Sequence, residues 1–261
     1  MLLAALAVLT ATPATVEAQL AAAKPGDTVR LSGEVYGRIV VRDLKKAAPR
    51  VTIDAKAATI GVVAWTDASG FTLVGGVFRH SGNYAQIVQN SENIDLVDGI
   101  YVDATNSGMT IQGSRHISVM GNAFRNPSDG VDVINSAFVD IERNNCLVAQ
   151  PAGGHADCVQ LWNTKGAPVD SDITIAWNAA VGYEQGFSMM GGTGAARANI
   201  HDNSYAGVMG YAGGWLNCTP GCTMKDNVAM TLNVTAPGTH PAWIMTGPGS
   251  AAERNLNGPK N

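Results

Sequence analysis

A six-residue pattern, Ile117-Ser-Val-Met-Gly-Asn122, decides the fold because it recurs along most of the chain. Close copies are Val139-Asp-Ile-Glu-Arg-Asn144 and Ile173-Thr-Ile-Ala-Trp-Asn178, and related segments end at Gly76, Gly99, Asn203 and Asn227. Apolar and polar residues alternate in most copies, which is typical of a β-strand with one buried face. Counted from a first copy that ends at Lys56, successive copies are 20 to 25 residues apart, except for one interval of 34 residues, and this period indicates a solenoid of stacked rungs.

Each period contains a second alternating segment, for example Gly108-Met-Thr-Ile-Gln-Gly113 and Gly130-Val-Asp-Val-Ile-Asn135. Aligning these segments places two columns of mostly apolar side chains on one interior face. The repeat region does not sustain the apolar spacing of an amphipathic helix, and Gly and Asn recur too often for helix interiors. We therefore predict an all-β fold, a single parallel β-helix of about 8 rungs.

The Asn or Gly that ends each copy has two expected roles. Both residues tolerate the left-handed backbone of a tight corner, and stacked Asn side chains can form hydrogen bonds from rung to rung. A solenoid also needs a cap, and the helical spacing between Thr15 and Ala23 predicts a short N-terminal capping helix. The β-helix domain is predicted to cover residues 15–236, with an irregular cap or tail over residues 237–261.

Composition and charge exclude several classes of protein. The 261 residues are 46% hydrophobic and 15% charged, which excludes a coiled coil and a disordered chain. A net charge of -4 provides no basic surface, so we predict no nucleic-acid partner. Residues 1–14 form an apolar run too short to span a bilayer, which we interpret as a signal-peptide remnant, with an apolar first helix as the alternative. We expect no membrane span and predict a secreted or periplasmic monomer.

The spacing of the four cysteines fits two local disulfides. Cys218 and Cys222 bracket a Thr-Pro-Gly turn, and Cys146 and Cys158 flank an irregular part of the longest interval. Free buried thiols are the alternative for Cys146 and Cys158. The pairs lack the spacing of zinc ligands, and no organic cofactor is expected.

The interval between Asn144 and Asn178 is about eleven residues longer than its neighbours, and extra chain in a solenoid commonly builds a binding site. It contains the polar cluster His155-Ala-Asp157-Cys-Val-Gln160-Leu-Trp162-Asn163-Thr-Lys165. Stacking predicts three outward columns: Ile87, Thr110, Asp132, Gln160 and Ser188; Ser107, Asp129, Asp157 and Gln185; and Gln89, Gln112, Ile134, Trp162 and Met190.

Because parallel rungs lie about 4.8 Å apart, Asp129, Asp132 and Asp157 are expected close together. Like charges at such a distance share a proton, bind a cation or face a cationic group. The alternative is that these outward side chains only solvate the sheet.

The chain resembles the right-handed parallel β-helix proteins of the pectate-lyase-like superfamily. Its opening segment, Ala21-Ala-Ala-Lys-Pro-Gly-Asp-Thr-Val-Arg-Leu-Ser-Gly-Glu-Val-Tyr-Gly37, is similar to the first rung of many polysaccharide lyases. The resemblance implies a right-handed coil and a carbohydrate substrate. This fold hosts lyases, hydrolases, epimerases and non-catalytic modules, so activity has to be argued from the site.

Three successive rungs resemble the polygalacturonase type of glycoside hydrolase. Asn126-Pro-Ser-Asp129-Gly, Ala156-Asp157-Cys-Val and Glu184-Gln185-Gly correspond to the patterns Asn-Thr-Asp-Gly, Asp-Asp-Cys and Gly-His-Gly. The resemblance implies that Asp129 and Asp157 activate water. Ala156 stands where that family has an acid, and Gln185 stands where it has a histidine.

We predict a polysaccharide lyase that cleaves an acidic, uronate-containing glycan by β-elimination. Ca²⁺ held by Asp129, Asp132 and Asp157 would neutralise the uronate carboxylate, and His155, Lys165 or Arg125 would remove the C5 proton. The predicted substrate contacts are Gln160, Trp162, Asn163, Gln185 and Arg79.

Arg79 and Arg125 each follow a Phe, and they are expected to line one edge of the groove. The alternatives are a polygalacturonase-like hydrolase in which Asp129 and Asp157 handle water, and a non-catalytic glycan-binding or tailspike-like module.

Overall fold

A computed structural model describes residues 6–125, 128–148, 156–184, 186–190, 194–209, 212–233, 240–246 and 251–257. The strands, in chain order, are β1 (Val8–Ala11), β2 (Thr28–Leu31), β3 (Val35–Arg42), β4 (Val51–Asp54), β5 (Thr59–Thr66), β6 (Ser69–Val74), β7 (Val77–Arg79), β8 (Tyr84–Gln89), β9 (Glu92–Val97), β10 (Ile100–Val102), β11 (Ser107–Gln112), β12 (Arg115–Met120), β13 (Ala123–Arg125), β14 (Asp129–Ile134), β15 (Ala137–Glu142), β16 (Asn145–Val148), β17 (Val159–Trp162), β18 (Ser171–Ala176), β19 (Ala179–Glu184), β20 (Phe187–Met190), β21 (Asn199–His201), β22 (Ser204–Met209), β23 (Ala212–Asn217), β24 (Thr223–Lys225), β25 (Val228–Asn233), β26 (His240–Thr246), β27 (Ala251–Glu253) and β28 (Leu256–Asn257). A short helix, α1 (Val16–Ala22), lies between β1 and β2.

The strands wind into a parallel β-helix with three faces, here called A, B and C. Face A comprises β1, β2, β4, β6, β9, β12, β15, β18, β21, β24 and β27. Face B comprises β7, β10, β13, β16, β19, β22, β25 and β28, and face C comprises β8, β11, β14, β17, β20, β23 and β26. The long strands β3 and β5 run along both B and C, since β5 pairs with β7 and with β8. The coil has about nine turns, so the predicted right-handed parallel β-helix is confirmed with one turn more than expected.

The apolar columns predicted to face inward are buried. Under face B, the rings of Phe78, Tyr101 and Phe124 stack on one another with centroid separations of 4.5 and 4.8 Å. The Tyr101 hydroxyl donates a hydrogen bond of 2.6 Å to Gln86 Oε1. The side-chain oxygen of Gln86 thus has a hydrogen-bond partner inside an otherwise apolar column, as a buried polar atom requires.

A ladder of buried asparagines follows the corner between faces A and B, as predicted. The main-chain N–H and the side-chain Nδ2 of Asn122 both donate to Asn144 Oδ1, over 2.9 and 3.1 Å. Asn178, Asn203 and Asn227 continue the same arrangement. The ladder thus satisfies main-chain groups at the corner that the sheets leave unpaired.

The left-handed backbone predicted for these asparagines lies one residue earlier. Gly121, Arg143 and Trp177 have φ values of 69°, 55° and 54°, and each directly precedes a ladder Asn. The ladder positions therefore require Asn for its side-chain hydrogen bonds and not for a left-handed backbone.

The solenoid extends past both predicted domain boundaries. The capping helix is confirmed at Val16–Ala22, but β1 already pairs in parallel with β2, and Ala11 is buried. The boundary at residue 15 is therefore too late, and the signal-peptide interpretation of residues 1–14 stays a prediction. Beyond residue 236, β26, β27 and β28 continue the sheets, so the predicted irregular tail is wrong for these strands. These turns are held by main-chain pairing, and their sequence does not show the repeat clearly.

Both predicted disulfides are present. Cys146 is bonded to Cys158 and Cys218 to Cys222, with Cα separations of 5.5 and 6.0 Å. The free-thiol alternative for Cys146 and Cys158 is therefore wrong. The first disulfide joins β16 on face B to the residue before β17 on face C, across the enlarged rung.

Candidate active site

Face C carries its outward polar columns in the predicted register. Asp132 pairs with Gln160, Gln160 pairs with Ser188, and Asp129 pairs with Ser107 on adjacent strands. All five side chains are buried. The alternative that they only solvate the sheet is therefore wrong.

Hydrogen bonds join Asp129 to Asp157 on the next rung. The main-chain N–H of Asp157 donates to Asp129 Oδ1 over 2.9 Å. Gln160 Nε2 donates to Asp157 Oδ2, also over 2.9 Å, and the Asp157 residue is 0% exposed. Asp157 is thus held by its main-chain bond to Asp129 and by its side-chain bond to Gln160. Asp129 and Asp132 line an open cavity, whereas Asp157 lies behind them.

The cavity has a volume of about 360 Å³. It is lined by Tyr84, Asn106, Gln112, Asp129, Asp132, Ile134, Gln160, Trp162 and Thr164. Trp162 ends β17 with 45% of its surface exposed. Carboxyl groups beside an exposed aromatic ring suit a sugar, because the ring contacts the C–H face of the sugar while the acids reach its oxygens.

The surroundings of Asp129 favour its protonated form. Burial, reinforced by the negative charges of Asp132 and Asp157, raises the pKa of Asp129 to about 9, although the N–H of Asp157 opposes the shift. The direction of this shift favours the protonated form of Asp129 at neutral pH. A proton donor beside a second carboxyl group, with both facing one cavity, is the arrangement that acid–base cleavage requires.

The three predicted cationic residues within the described part of the chain do not line this cavity. Arg79 forms an ion pair of 2.8 Å with Asp103. Arg125 shares the Arg79 column on face B, with Val102 between them, and its side chain is exposed. Lys165 is exposed in the turn after β17. Arg79 and Arg125 therefore share one column, as expected, but this column lies on face B and does not border the face C cavity.

Asn163, predicted to contact substrate, has a structural role instead. Its Nδ2 donates to the Gly194 carbonyl and its Oδ1 accepts the Asp170 N–H, both over 2.8 Å. The side chain is buried because these bonds anchor the loop that follows β17. The predicted contacts Gln160 and Trp162 do line the cavity, whereas His155 and Gln185 lie outside the described residues.

Asp170 was not predicted from the sequence. It continues a ladder in which the N–H of one rung donates to the serine Oγ of the next, as Ser91 does to Ser114 over 3.1 Å. At the enlarged rung, the Ser136 N–H donates to Asp170 Oδ1 over 2.8 Å. Burial raises the pKa of Asp170 to about 7, against the opposing effect of the Ser136 and Trp162 main-chain hydrogen bonds.

Tyr84, Asn106 and Thr164 are further lining residues that the sequence analysis missed. Tyr84 pairs with Ser107, so extending that column by one rung would have found it. Asn106 and Thr164 lie outside the strands, where alternation provides no signal.

No group of three or more His, Cys, Asp or Glu side chains within the described ranges has an arrangement that would hold a metal ion. Ca²⁺ binding by Asp129, Asp132 and Asp157 stays a prediction.

Comparisons with known proteins support the fold. The chain is similar to a polygalacturonase from Erwinia carotovora ssp. carotovora, with 13% identity, a TM-score of 0.52, and coverage of 91% of this chain and 82% of that chain. It is also similar to PfbA, a surface adhesin of Streptococcus pneumoniae, with 9% identity, a TM-score of 0.51, and coverage of 89% and 78%. No family model and no curated protein matches the sequence.

These likenesses establish a fold class. The chain has the right-handed parallel β-helix fold. Both similar structures share less than a seventh of their residues with it, so its activity is argued from the site.

Within the described ranges, no helix combines the length and apolar character needed to cross a membrane.

Proposed function

We propose that the protein is a carbohydrate-active β-helix that hydrolyses a glycan at the face C cavity. The observation that carries the proposal is the pair of buried carboxyl groups, Asp129 and Asp132, that line one cavity with Asp157 bonded behind them. Burial and the neighbouring carboxylates raise the pKa of Asp129, which suits it to the acid role. Glycoside hydrolysis needs one carboxylic acid to protonate the leaving oxygen and one carboxylate to activate water or attack the sugar.

The roles divide according to hydrogen bonding and access. Asp129 donates its proton to the glycosidic oxygen, because burial and its charged neighbours keep that proton in place at neutral pH. Asp132 lines the same cavity and acts as the base or nucleophile. Asp157 positions Asp129 through its main-chain N–H, and Trp162 supports the sugar ring. This assignment moves the acid role from Ala156, the position the family pattern suggests, to Asp129.

Hydrolysis is preferred to β-elimination because of the charge in the cavity. The described lining residues include two aspartates and neither Lys nor Arg, so β-elimination would depend on a bound cation such as Ca²⁺, whereas hydrolysis needs only the two carboxyl groups. The acidic substrate, β-elimination and the monomeric state remain predictions. Export is proposed from the two disulfides, which are typical of oxidising compartments.

A glycan-binding module without catalysis is the second candidate. It is favoured by the likeness to PfbA, which is described as a surface adhesin. Such a module would use Trp162 and the cavity for binding alone.

The test compares wild type and Asp129→Asn on a panel of acidic and neutral polysaccharides, with Asp98→Asn, on an exposed corner, as a matched control. New reducing ends without unsaturated uronate absorbance, abolished only in Asp129→Asn, are expected. A rise in unsaturated uronate absorbance would replace hydrolysis by β-elimination. Retardation in polysaccharide-containing gels without any product would favour the binding module.

A further inference from the structure

A second and larger cleft lies on face A, away from the candidate active site. Its volume is about 530 Å³, and its lining comes from β9, β12, β15 and β18 together with Arg50 and Arg197. Because parallel strands lie about 4.8 Å apart, the cleft follows the solenoid axis over several rungs. The proposed hydrolysis uses none of these residues.

The floor of the cleft is a row of hydrogen-bonding side chains in register. Ser118, Asp140 and Thr174 pair on successive strands. At both ends of this row, neighbouring side chains bond to each other, as Thr72 does to Asp95 over 3.2 Å and Thr223 does to Asn199 over 2.6 Å.

The three middle side chains make no side-chain hydrogen bond within the described part of the chain. Asp140 is exposed, and Ser118 and Thr174 are half-buried. A hydroxyl, a carboxylate and a second hydroxyl are therefore presented to the cleft at rung spacing.

An aromatic pair forms part of the wall. The Phe138 ring stacks on the His116 ring with centroids 4.8 Å apart and an interplanar angle of 10°. Phe138 is 47% exposed and has a left-handed backbone with φ 55°. An exposed Phe whose backbone conformation favours Asn or Gly is costly at a purely structural strand position.

The charges of the cleft determine which ligand fits. Arg50 forms an ion pair with Asp95 over 3.2 Å, and Arg197 binds Asp172 through two hydrogen bonds. Both guanidinium groups are thus neutralised by carboxylates. Asp140 has no such partner in the described residues, so the cleft carries negative charge and disfavours an anionic ligand.

We propose that this face A cleft binds a neutral glycan chain laid along the solenoid axis. Sugar hydroxyls pair with the Ser118, Asp140 and Thr174 row, and a sugar C–H face contacts Phe138. One sugar unit of an extended glycan has about the length of one rung spacing, so successive units meet successive side chains. A peptide strand fits less well, because the main chain of face A is already paired on both sides within the sheet.

The experiment is affinity gel electrophoresis of the full chain with galactomannan, xyloglucan and hydroxyethylcellulose, and with polygalacturonate as the anionic comparison. The variants are Asp140→Ala and Phe138→Asn, the latter because Asn tolerates the left-handed backbone. Thr52→Ala is the matched control, since Thr52 is in the same column outside the cleft. Trp162→Ala reports on the face C cavity, and circular dichroism checks the fold of each variant.

At least one neutral polysaccharide is expected to retard the wild-type protein. The Kd for that polysaccharide should be about tenfold higher in Asp140→Ala and in Phe138→Asn. Thr52→Ala should bind this polysaccharide as wild type does, and any loss of retardation in Trp162→Ala measures the contribution of the face C cavity. Unchanged binding in both cleft variants, or retardation by polygalacturonate alone, would overturn the proposal. Absence of retardation by all three neutral polysaccharides would also overturn it. Since the readout is binding to a different face, it can fail while product formation at face C persists, and the reverse also holds.

Discussion

Asp170→Asn is predicted to change how the stability of the fold depends on pH. Burial raises the pKa of Asp170 to about 7 from an ordinary value of 3.8. The folded state therefore holds this proton more tightly than the unfolded state does. The resulting stability is fully present below about pH 4 and is lost as the pH rises through 7.

The magnitude follows from the size of the pKa shift. A shift of about 3 units corresponds to about 4 kcal/mol, at about 1.4 kcal/mol per unit. Asn is neutral, has the same shape and can still accept the Ser136 N–H that Asp170 Oδ1 accepts over 2.8 Å. As the pH rises from 4.5 to 8, the unfolding free energy of wild type should therefore fall by about 3 kcal/mol relative to that of Asp170→Asn.

Urea unfolding at several pH values measures this difference directly. Asp129 contributes equally to both proteins and cancels in the comparison. Asp98→Asn, on an exposed corner with φ 57°, should follow wild type at every pH. A difference between Asp170→Asn and wild type that stays constant with pH would refute the reasoning.

Three further predictions concern the ladder, the cavity wall and the disulfide. Asn178→Ala should lower the unfolding free energy by about 3 kcal/mol in urea titrations, because it removes hydrogen bonds to Asn144, Ile141 and Asn203 in a buried corner; a loss below about 1 kcal/mol would show that the ladder contributes little. Trp162→Ala should raise KM about tenfold while leaving the thermal midpoint within a few degrees, since this half-exposed ring contributes little to the core; an unchanged KM would remove the ring from the site. Cys146→Ser should cost about 3 kcal/mol, more than loss of the second disulfide, because the first closes a loop of 12 residues and the second one of 4; equal losses in the two variants would contradict this ordering.

The register of the fold could be predicted from the sequence because side chains alternate between two faces of every strand. Aligning Thr110, Asp132, Gln160 and Ser188 by their flanking apolar residues reproduces the observed pairing. The same reasoning located the asparagine ladder but not its backbone geometry. The left-handed φ belongs to the residue before each Asn, and these residues, such as Trp177, have no common side-chain chemistry.

The candidate site could be predicted only where its residues lie on strands. Asp129, Asp132, Gln160 and Trp162 came together as expected. Residues in loops followed other constraints: Asn163 was drawn into the anchoring of its own loop, and Lys165 remained exposed. Protonation of Asp129 also could not be derived from spacing, because it depends on burial.

The central claim, that Asp129 keeps a proton at neutral pH, can be measured without a known substrate. Carbon-13 NMR of protein labelled at aspartate carboxyl carbons follows each acid from pH 4 to pH 10, and Asp129→Asn assigns the signal. The account predicts that the Asp129 signal titrates with a pKa of about 9. A signal that titrates near pH 4 would contradict the account, because Asp129 would then have no proton to donate.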